Sequence, residues 1–110
     1  MKWCIFLYFI AFFSTLTFAG SGVGKIQRIE LGPMYNGKVF IIVEGVMEGQ
    51  PTCRQQGNYH FVFDAEAPGG AALLSVVLSA QVAQKNIHIS GYNTCNIYSG
   101  IEDLRWLRVE

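Results

Sequence analysis

The stretch AALLSVVLSAQVAQK, residues 71–85, decides how the rest of the chain is arranged. It contains no glycine or proline over 15 residues, and that length favours a helix over a strand. At helical spacing its apolar side chains form one broad face, made of Leu73, Leu74, Val76, Val77, Leu78 and Ala80. The sequence therefore predicts one helix, and the segments before and after it must form the structure on which this helix packs.

Three strand patterns precede this helix. Residues 28–31 alternate apolar and polar side chains, residues 38–45 are apolar on both faces, and residues 59–66 alternate again. The glycine-rich residues 20–24 predict a flexible lead, and Ile26 is out of phase with the first strand, which indicates a bulge. An Asn36-Gly37 pair predicts a hairpin between the first two strands.

In the third strand, Tyr59, Phe61 and Phe63 are predicted to share a face. The second strand is apolar on both sides, and such a strand needs a covered outer face.

Two further strands follow the helix. Residues 86–93 alternate Ile87 and Ile89 with polar neighbours, and residues 101–109 form the last strand pattern. In that last strand, Leu104 and Trp106 are predicted to lie opposite Leu107 and the other odd-numbered residues.

The order of elements is three strands, one helix and two strands. This is the order of the OB-fold, a five-stranded Greek-key barrel whose helix lies between strands three and four. The sequence therefore predicts a mainly β protein with an OB-fold-like barrel. In such a barrel strands two and four run in the same direction, so the loops that follow them emerge at the same end.

Those two loops carry Cys53 and Cys95. Cys4 falls within residues 1–19, the predicted signal peptide. The two cysteines that remain after export predict a disulfide, which would tie the two loops together. Two free thiols or half of a zinc site are the alternatives, but the paired spacing of metal ligands is missing.

Export is predicted from residues 1–19. One positive charge at Lys2 precedes an apolar run, which ends in small and polar residues around Thr17 and Ala19. This pattern is typical of a secretory signal peptide cleaved after Ala19; an uncleaved membrane anchor is the alternative. The mature domain would then be residues 20–110, secreted or periplasmic and free of the membrane.

Charge excludes one class of partner. The predicted mature domain carries seven Lys or Arg and eight Asp or Glu. Nucleic-acid binding draws its affinity from many cationic contacts to phosphate, and this composition offers no basic face.

Catalysis and metal binding are not predicted either. His60 and His88 fall on strands that are not neighbours, and no ligand cluster accompanies them. Glu102 and Asp103 are adjacent on a strand, so they point to opposite faces and cannot flank one bond. No nucleophile elbow or phosphate loop is present in the sequence, and we expect a non-enzyme without cofactor or metal.

Recognition is predicted at the end of the barrel where the cysteines meet. Aromatic rings and amides in these loops suit sugars or peptides, because rings cover apolar C–H faces while amides satisfy hydroxyl groups. The candidate ligand-binding residues are Arg54, Gln56, Tyr59, Tyr92, Asn93 and Tyr98. The alternative is that these are ordinary polar loops.

The helix suggests self-association. A helix that is apolar over most of its circumference packs on the barrel on one side and needs cover on another. The candidate interface comprises Leu74, Ser75, Leu78 and Ser79. Burial under loops of the same chain is the alternative.

The blocks ALLSVVLSAQVAQKNIHISGYNTC and YSGIEDLRWLRV, within residues 71–109, carry a resemblance. They resemble small exported proteins of Gram-negative bacteria, a group that is similar to the B subunits of the subtilase-cytotoxin type. The resemblance implies an OB-fold subunit that assembles as a ring of five and binds cell-surface glycans. The N-terminal part of the chain does not match the sugar-contacting residues of those subunits, so no sialic-acid site is carried over.

The leading hypothesis is therefore an exported, non-catalytic binding module that forms a homo-oligomer, as a pentamer if the resemblance holds, and recognises a glycan or a protein. A monomeric periplasmic structural or inhibitory protein is the alternative.

Overall fold

The computed structural model describes residues 18–55 and 57–110. The regular elements of this part are β1 Ser21–Glu30, a 3-10 helix Pro33–Tyr35, β2 Lys38–Glu48, β3 Phe61–Asp64, α1 Gly70–Val82, β4 Ile87–Gly91 and β5 Glu102–Val109. The strands close into a barrel in the order β1-β2-β3-β5-β4. Every pair is antiparallel except β3 with β5, which is parallel. The predicted OB-fold-like barrel, with its helix between β3 and β4, is confirmed.

The barrel interior is aliphatic and aromatic. Alternate residues of each strand point inward, because successive side chains of a strand lie on opposite faces. The interior cluster consists of Ile26, Val39, Ile41, Val43, Phe61, Phe63, Val77, Ala80, Ile87, Ile89 and Leu104. Phe61 is its largest fully buried side chain, and no part of it is exposed.

A second apolar cluster lies on the other face of β2 and β3. Phe40 pairs with Val62 across these strands, and both are buried together with Ile101. Tyr35, Tyr59, Ile97 and Tyr98 pack against them. The predicted covered outer face of the second strand is therefore confirmed, and its cover comes from loops.

The helix α1 packs against β1 and β5 and adds Val77 and Ala80 to the interior cluster. Leu73 and Leu74 are partly buried against the same cluster. Val76, predicted on the buried face, is 41% exposed. The buried stripe is thus narrower than the apolar face of the sequence, and Leu78 and Val82 are also exposed.

The predicted flexible lead is wrong. β1 begins at Ser21, and its first residues pair with β2 on one side and β4 on the other. A side chain at Gly24 would collide with the backbone of Glu44, so the glycine permits a close approach of two strands. The predicted bulge is confirmed as a register shift between Ile26 and Arg28.

The hairpin between β1 and β2 is confirmed, with a connection longer than two residues. Asn36 and Gly37 both have positive φ, at 52° and 85°. They complete a turn that begins with the 3-10 helix Pro33–Tyr35. The Asn-Gly pair therefore closes a loop of residues 31–37, which lifts Tyr35 onto the outer face of β2.

Two strands differ in phase from the prediction. β3 begins at Phe61, so Tyr59 and His60 precede it, and Tyr59 packs on the outer cluster and not with Phe61. In β5 both Leu104 and Leu107 pack on the interior cluster. Their phase changes because the pairing with β4 shifts between Leu104 and Trp106, which leaves Arg105 as a bulge.

Residues 1–17 of the predicted signal peptide lie outside the described residues. Within the described part of the chain, no helix is long and apolar enough to cross a bilayer.

Candidate functional site

The two cysteine-bearing loops meet at one end of the barrel, as predicted. Cys53 and Cys95 form a disulfide, with 2.06 Å between the sulfur atoms and 6.0 Å between the Cα atoms. The backbone N–H of Gln55 also donates to the carbonyl of Gly100 at 3.0 Å. Residues 49–55 and 92–101 are therefore joined covalently and by a hydrogen bond, and we call these two segments the disulfide rim.

Two buried carboxylates brace the rim from β5. As predicted for neighbours on a strand, they serve opposite faces: Glu102 pairs beside interior Phe61, and Asp103 pairs beside outer Val62. Asp103 accepts hydrogen bonds from the backbone N–H groups of Asn96 at 3.0 Å and Ile97 at 2.9 Å, and from Thr94 Oγ1 at 2.6 Å. These bonds fix residues 94–97 in place.

Glu102 is 1% exposed and accepts only from backbone groups. Its carboxylate oxygens lie 3.0 and 3.1 Å from the nitrogen of Gly20, and Asn93 N–H donates to it at 3.0 Å. Burial raises the pKa of Glu102, although these hydrogen bonds and the charge of Arg54 act in the opposite direction.

Beside the rim, three tyrosine rings surround Phe40 on the outer face of β2. The ring centroids of Tyr35, Tyr98 and Tyr59 lie 4.7, 4.9 and 5.6 Å from that of Phe40. The tyrosines come from three segments: the loop between β1 and β2, the disulfide rim after β4, and the residues before β3. We call Tyr35, Tyr59 and Tyr98, with Phe40 beneath them, the tyrosine face.

A charged edge borders the tyrosine face. The hydroxyl groups of Tyr35 and Tyr59 both donate to the carboxylate of Glu30, the latter at 2.8 Å. The guanidinium of Arg28 lies 6.0 Å from the ring centre of Tyr59. The hydrogen bond to Glu30 raises the pKa of Tyr35 to about 12, and the two hydroxyls lower the pKa of Glu30. The rings are thus held in fixed orientations by packing below and a carboxylate at the side.

The structure brings some of the predicted ligand-binding residues together. Tyr59 and Tyr98 both contact Phe40. Tyr92 is 59% exposed, and Asn93 donates its backbone N–H to Glu102. Arg54 follows Cys53 in the rim, and its positive charge adds to the effect of burial in lowering the pKa of His60 and opposes the effect of burial on Glu102. Gln56 lies outside the described residues.

Arg28, Glu30 and Tyr35 are parts of this site that the sequence did not reveal. The alternation of residues 28–31 indicates only that Glu30 is a polar residue of a strand, and the Asn36-Gly37 pair indicates only that Tyr35 precedes a turn. The one available signal is Tyr35 itself, the single aromatic ring among residues 31–37.

The histidines have structural partners. Val43 N–H donates to His60 Nδ1 at 3.0 Å, and burial lowers the pKa of His60. His88 Nε2 lies 2.7 Å from Glu110 Oε1. Among the described residues, no group of His, Cys, Asp and Glu has the arrangement of a metal site.

Hollows also lie elsewhere on the surface of the described residues. A groove of about 210 Å³ crosses the outer wall of the barrel, lined by residues that include Val23, Val46, His88 and Trp106. A second hollow of about 330 Å³ lies between α1 and the end of β5, where Val76, Ala83 and Val109 form part of its wall.

The four predicted interface residues of α1 differ in burial and in hydrogen bonding. Leu74 is partly buried against the interior cluster, whereas Leu78 is 41% exposed. Ser75 and Ser79 donate their hydroxyls to carbonyl groups one turn earlier in the same helix.

Comparison of the chain with known protein families, with curated proteins and with solved structures gives no match.

Proposed function

We propose that this protein is an exported, non-catalytic recognition module that binds a glycan through the tyrosine face. The observation that carries the proposal is the convergence of Tyr35, Tyr59 and Tyr98 on Phe40 from three separate segments. Proteins with this barrel bind oligosaccharides and oligonucleotides on the face of strands two and three, between the loops that follow strands one and four. The tyrosine face occupies this position.

The chemistry of the face suits a sugar better than a nucleic acid. Tyrosine rings cover the apolar C–H faces of a pyranose, while hydroxyl and carboxylate groups at their edges bond to its hydroxyls. Glu30 places a negative charge beside the rings, which disfavours a phosphate backbone. A protein segment is the second candidate ligand, because aromatic rings beside an arginine are also enriched at protein interfaces.

Pre-organisation supports the same proposal. Loops that are ordered before binding lose less entropy when a ligand arrives. Here the disulfide, the Asp103 hydrogen bonds and the Glu30 carboxylate restrain all the segments that carry the rings.

The proposed function requires that the protein is exported. The disulfide fits an oxidising compartment, and residues 1–19 have the pattern of a cleaved signal peptide. The resemblance to toxin B subunits adds a ring-shaped oligomer to this hypothesis. Self-association would use the exposed apolar side chains of α1, Leu78 and Val82 among them.

Glycan-array binding and calorimetry on the secreted protein test the ligand. Tyr59→Ala and Tyr98→Ala should each weaken binding at least tenfold while the fold, followed by circular dichroism, is kept. Tyr92→Ala is the discriminating variant: Tyr92 is a predicted ligand-binding residue of the rim that is exposed and does not belong to the tyrosine face, so its removal should leave binding unchanged. Equal losses in all three variants would move the site to the whole rim, and unchanged binding in Tyr59→Ala and Tyr98→Ala would reject the tyrosine face.

Light scattering tests the oligomer. A ring of five subunits predicts five times the monomer mass, and a strict monomer would favour the alternative of a monomeric periplasmic structural or inhibitory protein.

A further inference from the structure

We propose that cleavage after Ala19 creates a buried ion pair between the new α-ammonium group of Gly20 and the carboxylate of Glu102. This inference rests on the export part of the proposed function and is independent of the ligand. In it, the amino terminus of the mature protein is a structural component of the barrel.

The position of Gly20 carries the proposal. Its nitrogen lies 3.0 Å from one carboxylate oxygen of Glu102 and 3.1 Å from the other. A peptide nitrogen has a single hydrogen to share between these two acceptors. An ammonium nitrogen has three hydrogens, so it can serve both oxygens and has one left.

The surroundings are shaped for this pair. Glu102 is 1% exposed, and side chains at Gly20 or Gly91 would collide with its carboxylate. Gly91 N–H donates to the carbonyl of Gly20 at 2.9 Å, which anchors residue 20 against β4. Glycine at residue 20 therefore lets the new terminus approach the carboxylate closely.

The charge balance points the same way. A buried carboxylate is costly unless a cation pairs with it. The charged groups that act on Glu102 are Arg54, which favours its ionised form, and Asp103, which opposes it. Burial outweighs the backbone hydrogen bonds and the charge of Arg54, so the pKa of Glu102 is raised, and a cation in direct contact would favour its ionised form.

The chemical step is hydrolysis of the Ala19–Gly20 peptide bond by a signal peptidase. Water supplies the hydroxyl for the new Ala19 carboxyl group and a hydrogen for the Gly20 amine. At neutral pH the amine takes up a further proton, because an α-amino group has an ordinary pKa of about 7.7 to 8.0.

Mass spectrometry and thermal unfolding of the secreted protein test the proposal. The first residue should be Gly20. Acetylation of this terminus removes the charge and should lower Tm by about 5 °C or more. The matched variant inserts one serine between Ala19 and Gly20, which moves the ammonium away and should have a similar effect.

Acetylation of the Glu102→Gln variant tests whether Glu102 is the partner of the Gly20 ammonium group. Acetylation should leave its Tm unchanged within about 1 °C, since the carboxylate is gone. If that variant does not fold, the pKa of the Gly20 amine in the wild type, measured by NMR, should lie above its ordinary range. A different first residue, or equal Tm values for free and acetylated wild-type protein, would overturn the proposal. Neither result depends on glycan binding, so failure of the ligand proposal is recognised separately.

Discussion

The two apolar clusters of this barrel differ in what lies at their edges. The interior cluster is built from aliphatic side chains and phenylalanines, with Phe61 and Ile41 fully buried at its centre. The outer cluster has Phe40 and Val62 at its base but tyrosines at its rim, and two of the tyrosine hydroxyls bond to Glu30.

This difference separates stability from recognition. The interior cluster itself consists of apolar side chains, which contribute through packing. A cluster that ends in hydroxyl groups, a carboxylate and a nearby guanidinium keeps polar groups within reach of a ligand. We therefore expect substitutions inside the barrel to act on folding, and substitutions on the tyrosine face to act mainly on binding.

The largest effect is expected inside the barrel. Phe61→Ala should lower the free energy of unfolding by about 3 to 5 kcal/mol, because it leaves a cavity in a closely packed core. Urea unfolding measures this loss. Tyr98→Ala, the matched change on the tyrosine face, should cost only about 1 kcal/mol. Equal losses at the two sites would remove the distinction between the clusters.

The disulfide comes next, because it restrains the loops that border the tyrosine face. Cys53→Ser should lower the free energy of unfolding by about 2 to 5 kcal/mol, since the bond closes a long loop. Cys53 and Cys95 are separated by 42 residues in sequence. The same melting temperature with and without reductant would contradict this expectation.

A smaller effect is expected in the titration of Tyr35. Its pKa is raised to about 12 from an ordinary value of 10.0 by the hydrogen bond to Glu30. While Glu30 is ionised, the stability that this bond gives is complete below pH 10.0 and is lost as the pH rises toward about 12. In Glu30→Gln the ionisation of Tyr35, followed by ultraviolet difference spectroscopy, should move toward the ordinary value.

Tyr35→Phe is the control for this titration, because it should remove the ionisation step of Tyr35 and leave that of Tyr59, whose pKa is also raised, by burial and by its hydrogen bond to Glu30. A wild-type curve that coincides with that of Glu30→Gln would show that the carboxylate does not hold the ring.

The smallest effect on folding is expected on the exposed side of the helix. Val82 is 85% exposed, so Val82→Ser should change the free energy of unfolding by less than about 0.5 kcal/mol. If α1 forms a subunit interface, the same change should lower the mass measured by light scattering. An oligomer that is unaffected by Val82→Ser would place the interface elsewhere.

Much of the fold could be predicted because it depends on local patterns. Strand alternation, the unbroken run of residues 71–85 and the Asn36-Gly37 pair are all readable over short windows. The positions of Cys53 and Cys95 then followed from the direction of the strands. These are the features that the structure confirms.

The errors arise where side-chain periodicity gives no information. Gly22 and Gly24 have no side chains to alternate, so the sequence predicts a flexible lead where the structure has a paired strand. The bulge at Arg105 shifts the phase of β5, and no residue type marks it in advance. Both features are set by how closely neighbouring strands approach.

Only part of the tyrosine face could be predicted from the sequence. Tyr59 and Tyr98 were predicted as ligand-binding residues because they lie near the cysteines. Tyr35 and Glu30 join them only through the three-dimensional path of the loop of residues 31–37. A single sequence contains no signal for this long-range convergence.

The most direct test of the central claim, that the tyrosine face is the recognition surface, is an NMR titration of the isotope-labelled mature protein with the best-binding glycan. The amide signals of Tyr35, Tyr59 and Tyr98 should show the largest shifts, and those of β4 should be nearly unchanged. Shifts that concentrate around Trp106 on the outer wall, or on α1, would contradict the claim.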